Sequence, residues 1–293
     1  MVFAPSARTA GPPLPPTPRI NVWSIEYVAH DGLTRHAYVV LPDWYGPRHH
    51  PRIPFVISPH GRGIPALDNV HVWGNLPAAG SFAVINPEGQ GRRLTLYSWG
   101  DPGEIDDLAR MPEIATDALP WLRIDRHRIY AFGSSMGGQE TLLLVARFPK
   151  LLAGAAAFDS PTNLGVRYRD FPGLQFGLGL QKLMRIEVGG IPQLDPRAYA
   201  VRSPLDYARE IAFSDVPLQI WWSRTDRVVV DQAQESGLLY RRIRKLNPLA
   251  PVVQFVGMWS HSAEFRWYAR GLPKGLQLFG LLPPFTKHAS TLM

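Results

Sequence analysis

The chain has 293 residues, 45% of them hydrophobic and 19% charged, with a net charge of +7 and no cysteine. That composition suits a packed globular protein with one main core, and it excludes disordered or collagen-like chains, disulfide scaffolds, thiolate metal sites and cysteine nucleophiles. The densest basic groups are Arg241, Arg242, Arg244 and Lys245 on one predicted helix, and Arg123, Arg126 and Arg128 before a predicted strand. Neither is interleaved with aromatics, so both read as solvated faces and no nucleic-acid partner is expected.

Residues 1–19 carry six prolines and read as an extended arm on the surface. No apolar run approaches the ~20 residues of a membrane-spanning helix, and no basic stretch leads into an apolar one near the start. Neither a membrane partner nor an intact signal peptide is expected, and a cytosolic setting is favoured over a secreted one.

From residue 20 to residue 293 the pattern is that of a single α/β domain, with short β-branched runs alternating with segments of helical period. Val22–Ala29 and Ala37–Leu41, joined through Asp31-Gly32, read as an antiparallel edge pair. Phe55–Ser58 and Phe82–Ile85 read as buried parallel strands, with a helix over Ala66–Leu76 between them. Glu104–Leu122 carries Ile105, Leu108, Met111, Ile114, Ala118 and Leu122 at helical spacing, with a kink or break expected at Pro112 and Pro120. Strand Arg128–Phe132, helix Met136–Phe148 and strand Ala155–Phe158 follow on short connections. Residues 160–215, rich in Gly and Pro, read as an insertion over the sheet's edge that could act as a small lid. Strand Leu218–Trp222, helix Gln232–Leu246, strand Val252–Val256 and a closing helix beyond His261 complete eight strands.

Gly133-Ser134-Ser135-Met136-Gly137, followed by Gly138, fits the pattern G-x-S-x-G. Five residues alone are weak evidence, but the context is specific: an apolar strand leads in, a helix leads out, and small residues surround the serine. A strained turn between strand and helix projects the hydroxyl while its neighbours pack closely. The helix start favours negative charge beside Ser135, and the Met136 N–H is a candidate oxyanion donor. Ser134 is the weaker nucleophile candidate because it is off the central position. Strand Phe55–Ser58 ends in Pro59-His60-Gly61-Arg62-Gly63, where a second oxyanion donor belongs; Arg62 is assigned, with Gly61 the alternative, and His60 is read as a support of the loop.

Asp226 follows strand Leu218–Trp222 and is the candidate acid; Asp231 is read as the cap of the helix that starts at Gln232. His261, just past the last strand, is the one histidine of nine that satisfies both chain order and context as the base. His49-His50 reads as a surface loop, and no H-E-x-x-H or comparable ligand spacing appears, so no metal is expected.

These segments resemble α/β-hydrolases of the prolyl oligopeptidase and related esterase groups, including polyhydroxybutyrate-depolymerase-like and feruloyl-esterase-like proteins. The resemblance rests on Tyr38–Pro42, His60-Gly61, Ile124–Tyr130 leading into Gly133–Gly138, and Asp226–Val229, over roughly residues 20–270. It implies an eight-stranded, mostly parallel sheet with helices on both faces, and hydrolysis of an ester or amide through an acyl-enzyme without cofactor. Peptidases of the group carry a large N-terminal propeller, whereas about twenty residues precede the first strand here, so carboxylic esters of small-molecule or polymer-derived substrates are the expectation. Peptidase, aryl-amidase and acyltransferase activities are the enzymatic alternatives, and a non-catalytic binding protein is the alternative of another class. The bulky Arg62 within the oxyanion loop could meet an acidic substrate group or point to solvent. Trp99, Trp222 and Trp259 are the candidate substrate contacts, and Leu174–Leu180 is a candidate acyl wall or homodimer contact.

Overall fold

Alternation decides which side of the sheet each strand residue joins. In the computed structural model, which describes residues 18–261 and 264–284 and the side chains of all of these but 264–270, the strands are β1 (Ile20–Val28), β2 (Thr34–Pro42), β3 (Ile53–Ile57), β4 (Ala83–Pro87), β5 (Ile124–Ser134), β6 (Gly154–Phe158), β7 (Leu218–Ser223) and β8 (Val252–Gly257). They form one sheet in the order β1-β2-β4-β3-β5-β6-β7-β8. β2 is antiparallel to β1 and to β4, and every other pair is parallel. The predicted proline-rich arm lies almost wholly outside the described residues.

One face of the sheet collects Ile53, Phe55 and Ile57 of β3, Ile129 and Ala131 of β5, and Leu218, Ile220 and Trp222 of β7. The other takes the residues between them: Val56, Tyr130, Phe132 and Trp221. The central parallel strands are therefore apolar throughout, since both faces are covered.

Ten helices are described: α1 (Ala66–Trp73), α2 (Leu76–Gly80), α3 (Pro102–Ala118), α4 (Met136–Arg147), α5 (Leu164–Asp170), α6 (Gly177–Val188), α7 (Pro196–Ala200), α8 (Ala208–Ala212), α9 (Ser236–Leu246) and α10 (Glu264–Leu278). α3, α4 and α9 cover the first face and α1 and α10 the second. The single helix expected over Ala66–Leu76 is two, because Gly74 takes φ 45, a left-handed value that ends α1. α3 begins at Pro102, capped by Asp101, whose carboxylate accepts from the Gly103 N–H at 2.9 Å. It continues through Pro112 and ends before Pro120. α9 starts at Ser236, not Gln232, and Asp231, at φ 51, is not its cap.

Residues 160–215 leave β6 and return through its neighbour β7, the strand before the β8 edge. Leu164, Tyr168, Phe171, Met184, Val188 and Tyr199 form a third core with Trp99 and Met136, on top of the loop after β4 and the start of α4. Buried charges fasten them there. The Glu187 carboxylate accepts from the backbone N–H groups of Arg92, Arg93 and Leu94 at 2.6, 2.8 and 2.9 Å. Arg202 donates to Ser98 O at 2.5 Å and pairs with Asp101 at 2.6 Å and Glu187 at 3.4 Å. No described helix is long and apolar enough to cross a membrane.

Candidate active site

The carboxyl ends of β3, β5, β6, β7 and β8 converge on one spot, as parallel strands with short connections require. Ser135 stands between the end of β5 and the start of α4 with φ 56 and ψ −122, a conformation costing about 1–3 kcal/mol that the surroundings must hold. They do so by contact: a Cβ on Gly137 would sit 2.2 Å from Pro59 O and 2.9 Å from His60 O, so the loop after β3 lies directly on the elbow. Gly137→Ala is therefore expected to push that loop away, lowering kcat/KM by about 10²-fold and stability by about 1–3 kcal/mol; steady-state kinetics and urea unfolding would read the two effects.

The His261 Nε2 lies 3.1 Å from the Ser135 Oγ, and its Nδ1 lies 2.7 Å from the Asp226 Oδ2. The carboxylate accepts the Nδ1 proton, so the Nε2 lone pair faces the serine hydroxyl. Asp226 is itself aimed by its loop: Oδ1 accepts from the Val228 and Val229 N–H groups at 2.8 and 3.0 Å. His261 and Asp226 are buried, and Ser135 is half-exposed. The three residues singled out in the sequence are thus brought into one hydrogen-bonded chain.

Met136 is the first residue of α4, where a helix leaves its N–H groups without intrahelical acceptors. Across from it, His60 braces the Pro59–Gly63 loop. Its ring lies 2.7 Å from Gly61 O through Nδ1 and 3.1 Å from the Gly89 N through Nε2. Burial lowers its pKa and keeps it neutral, a tautomer that donates from Nδ1 and accepts at Nε2. Gly63 and Ile64 spend their N–H groups on Leu96 O and Gly61 O. Arg62, in the same loop, is half-buried and does not simply extend into solvent. Burial and the neighbouring Arg62 guanidinium together bring Arg167 of α5 down to about 10. Arg167 donates to Val228 O and stacks on the Phe171 ring, so α5 touches the acid-bearing loop.

Two of the three candidate tryptophans are core residues. Trp99, 2% exposed, is packed edge-on to Phe171, with its backbone N–H on the Met136 sulfur at 3.4 Å. Trp222, 5% exposed, falls on the same sheet face as Leu218 and Ile220 and donates to Gln254 at 3.1 Å. Trp259 is half-buried beside the site, its indole N–H on the Asp159 Oδ2 at 2.5 Å. In Leu174–Leu180, Phe176 and Leu178 are 82% and 70% exposed. Asp159 and Arg167 had escaped notice. Asp159, directly after the apolar strand β6, carried a signal like the one that picked out Asp226 in the loop after β7; Arg167 lies in the insertion, where no periodicity points to the site.

Behind the His60 loop lies a cluster of buried carboxylates. Burial raises Glu104 to about 8, with Asp107 and Asp101 adding to the effect, and raises Glu140 well above the usual range. Apart from them, against Thr162 and Asn163, burial raises Glu235 to about 7. Arg35 stands 3.9 Å from both Glu104 and Asp107 but is bonded to Asp31 at 2.5 Å, so it offsets only part of that burial. From about pH 4.5 up to their folded values these groups hold protons that the unfolded chain has released, so their contribution to stability is lost as pH rises through that window. Glu104→Gln is expected to match the parent near pH 5 and to exceed it in urea midpoint near pH 8.5; an equal gap at both pH values would count against this.

This architecture is the α/β-hydrolase fold. No family model and no curated protein matches the chain, but solved structures do. It is similar to the acylaminoacyl peptidase of Pyrococcus horikoshii, with a TM-score of 0.65 and 17% identity over 92% of this chain and 43% of that one. It is similar also to an S-formylglutathione hydrolase of Staphylococcus aureus (0.65, 14%, covering 89% and 99%) and to an esterase of Pyrococcus furiosus (0.61, 18%, covering 89% of each). The chain thus spans less than half of the peptidase and nearly the whole of the other two.

Proposed function

We propose that this protein is a serine hydrolase that cleaves carboxylic esters through an acyl-enzyme. The observation that carries the reading is the hydrogen-bonded chain Ser135–His261–Asp226, with the nucleophile on a strained turn at a helix N-terminus. His261 removes the Ser135 proton as Oγ attacks the ester carbonyl, and Asp226 stabilises the imidazolium. The N–H groups of Met136 and Arg62 receive the oxyanion. The leaving alkoxide takes the proton from His261, and water, activated by the same base, then releases the acid and restores Ser135. The insertion at 160–215 acts as a small lid that walls the acyl group, in keeping with its core resting on Met136, and Trp259 borders the site.

The peptidases among the similar structures support amide cleavage as the second reading. Reaction with a fluorophosphonate, mapping of the modified residue, and turnover of matched p-nitrophenyl esters and anilides test both. Labelling confined to Ser135 with preference for the esters is the expected result. A folded protein that neither labels nor turns over would overturn the proposal in favour of a binding role.

A further inference from the structure

The acid-bearing end of the sheet holds a second carboxylate. Asp159 follows β6 as Asp226 follows β7 by a short loop, and these neighbouring parallel strands deliver both to one place. Carboxylate and imidazole atoms of Asp159, Asp226 and His261 all lie within 4.8 Å of one another, and all three residues are buried. Asp159 takes φ 46, a left-handed conformation that aspartate tolerates better than most residues. Its Oδ1 accepts from the Ser223 N–H at 3.0 Å and its Oδ2 from the Trp259 indole at 2.5 Å. Ser223 and Trp259 are tied in turn: the Trp259 N–H donates to the Ser223 Oγ at 2.8 Å, and that hydroxyl to Trp259 O at 2.5 Å. The clamp fixes the loop two residues before His261.

We infer that Asp159 is a positioning residue of the same site: it anchors the His261 loop through Trp259, and its carboxylate is a second anion beside the imidazole. It stabilises the imidazolium formed when Ser135 gives up its proton, and it takes over when Asp226 is removed. No bond beyond that proton transfer is made or broken, and the inference rests on the serine-hydrolase reading. Among the described residues, Arg167 faces Asp226 and Glu235, and Arg62 lies in the oxyanion loop beside it; the variants below leave both in place.

Four proteins test this with one p-nitrophenyl ester: the parent, Asp226→Ala, Asp159→Asn and the double variant. An acid acting alone is worth about 10⁴-fold. With Asp159 in reserve, Asp226→Ala is expected to lose only about 10²-fold, and the double variant about 10⁴-fold or more. Asp159→Asn alone is expected to move the acid limb of the kcat/KM profile to lower pH, because a neighbouring anion favours the protonated imidazole. Trp259→Phe removes the donor and keeps the anion, so its limb stays with the parent. The limb does not depend on how much of a sample is folded, which separates charge from structure. Asp226→Ala as inactive as the double variant, or equal limbs in Asp159→Asn and Trp259→Phe, would overturn the inference. A parent protein that neither labels at Ser135 nor turns over would instead reject the hydrolase reading itself.

Discussion

Ser135→Ala is expected to lower kcat/KM for a p-nitrophenyl ester by about 10⁴-fold or more, and to abolish fluorophosphonate labelling. At about 1.4 kcal/mol per tenfold, that is a loss of more than about 5 kcal/mol of transition-state stabilisation. The change removes one half-exposed hydroxyl and leaves the backbone turn, the His261–Asp226 pair and the oxyanion donors in place. Stability should hardly move, because the hydroxyl's one described partner is the His261 Nε2 at 3.1 Å. A residual rate above that of water is expected from the donors that remain. A loss below tenfold, with label found on Ser134, would transfer the nucleophile's role to that neighbour.

Arg202→Ala is expected to cost about 3–5 kcal/mol, the range for removing one partner of a buried ion pair. The guanidinium bridges two carboxylates, Asp101 and Glu187, and a backbone carbonyl, Ser98 O. Without it, two buried acids lose their cation, and one of them is the cap of α3. Such a loss is a large share of the ~5–15 kcal/mol that holds a domain together. The urea midpoint should fall accordingly. Arg202→Lys should recover only part of it, since an ammonium cannot reproduce the planar fork that reaches all three acceptors. A midpoint within experimental error of the parent would show that the ion pairs merely break even against their desolvation.

The elbow was legible because every element of it is local: strand, serine turn and helix follow one another within residues 124–147. Asp226 and His261 were legible by the same logic, each placed just past an apolar run. Alternation from Leu218 through Ile220 assigns Trp222 to the core face, and that period outweighs its nearness to a loop end. Trp99 could not have been placed, since what buries it, Phe171 and Met136, comes from distant stretches of chain. The insertion is legible as a break in rhythm, but what it packs against is not, because its core borrows Trp99 and Met136 from outside itself. The helix after β3 reads as one piece in the sequence because Gly74 is punctuation that a weak apolar period can hide.

The bonds that assemble the site join residues far apart in the chain: Ser135 and His261 are separated by 126 positions, and Arg202 and Ser98 by 104. Contacts of such range form only after large loops have closed, so they come late in folding. Nucleophile, acid and base are spread over a span of 126 positions, so no single local segment holds them together. Reactivity toward a fluorophosphonate during refolding would therefore rise with the final, global step and lag behind the recovery of helical signal, which makes the chemistry of one serine a clock for the completion of the whole molecule.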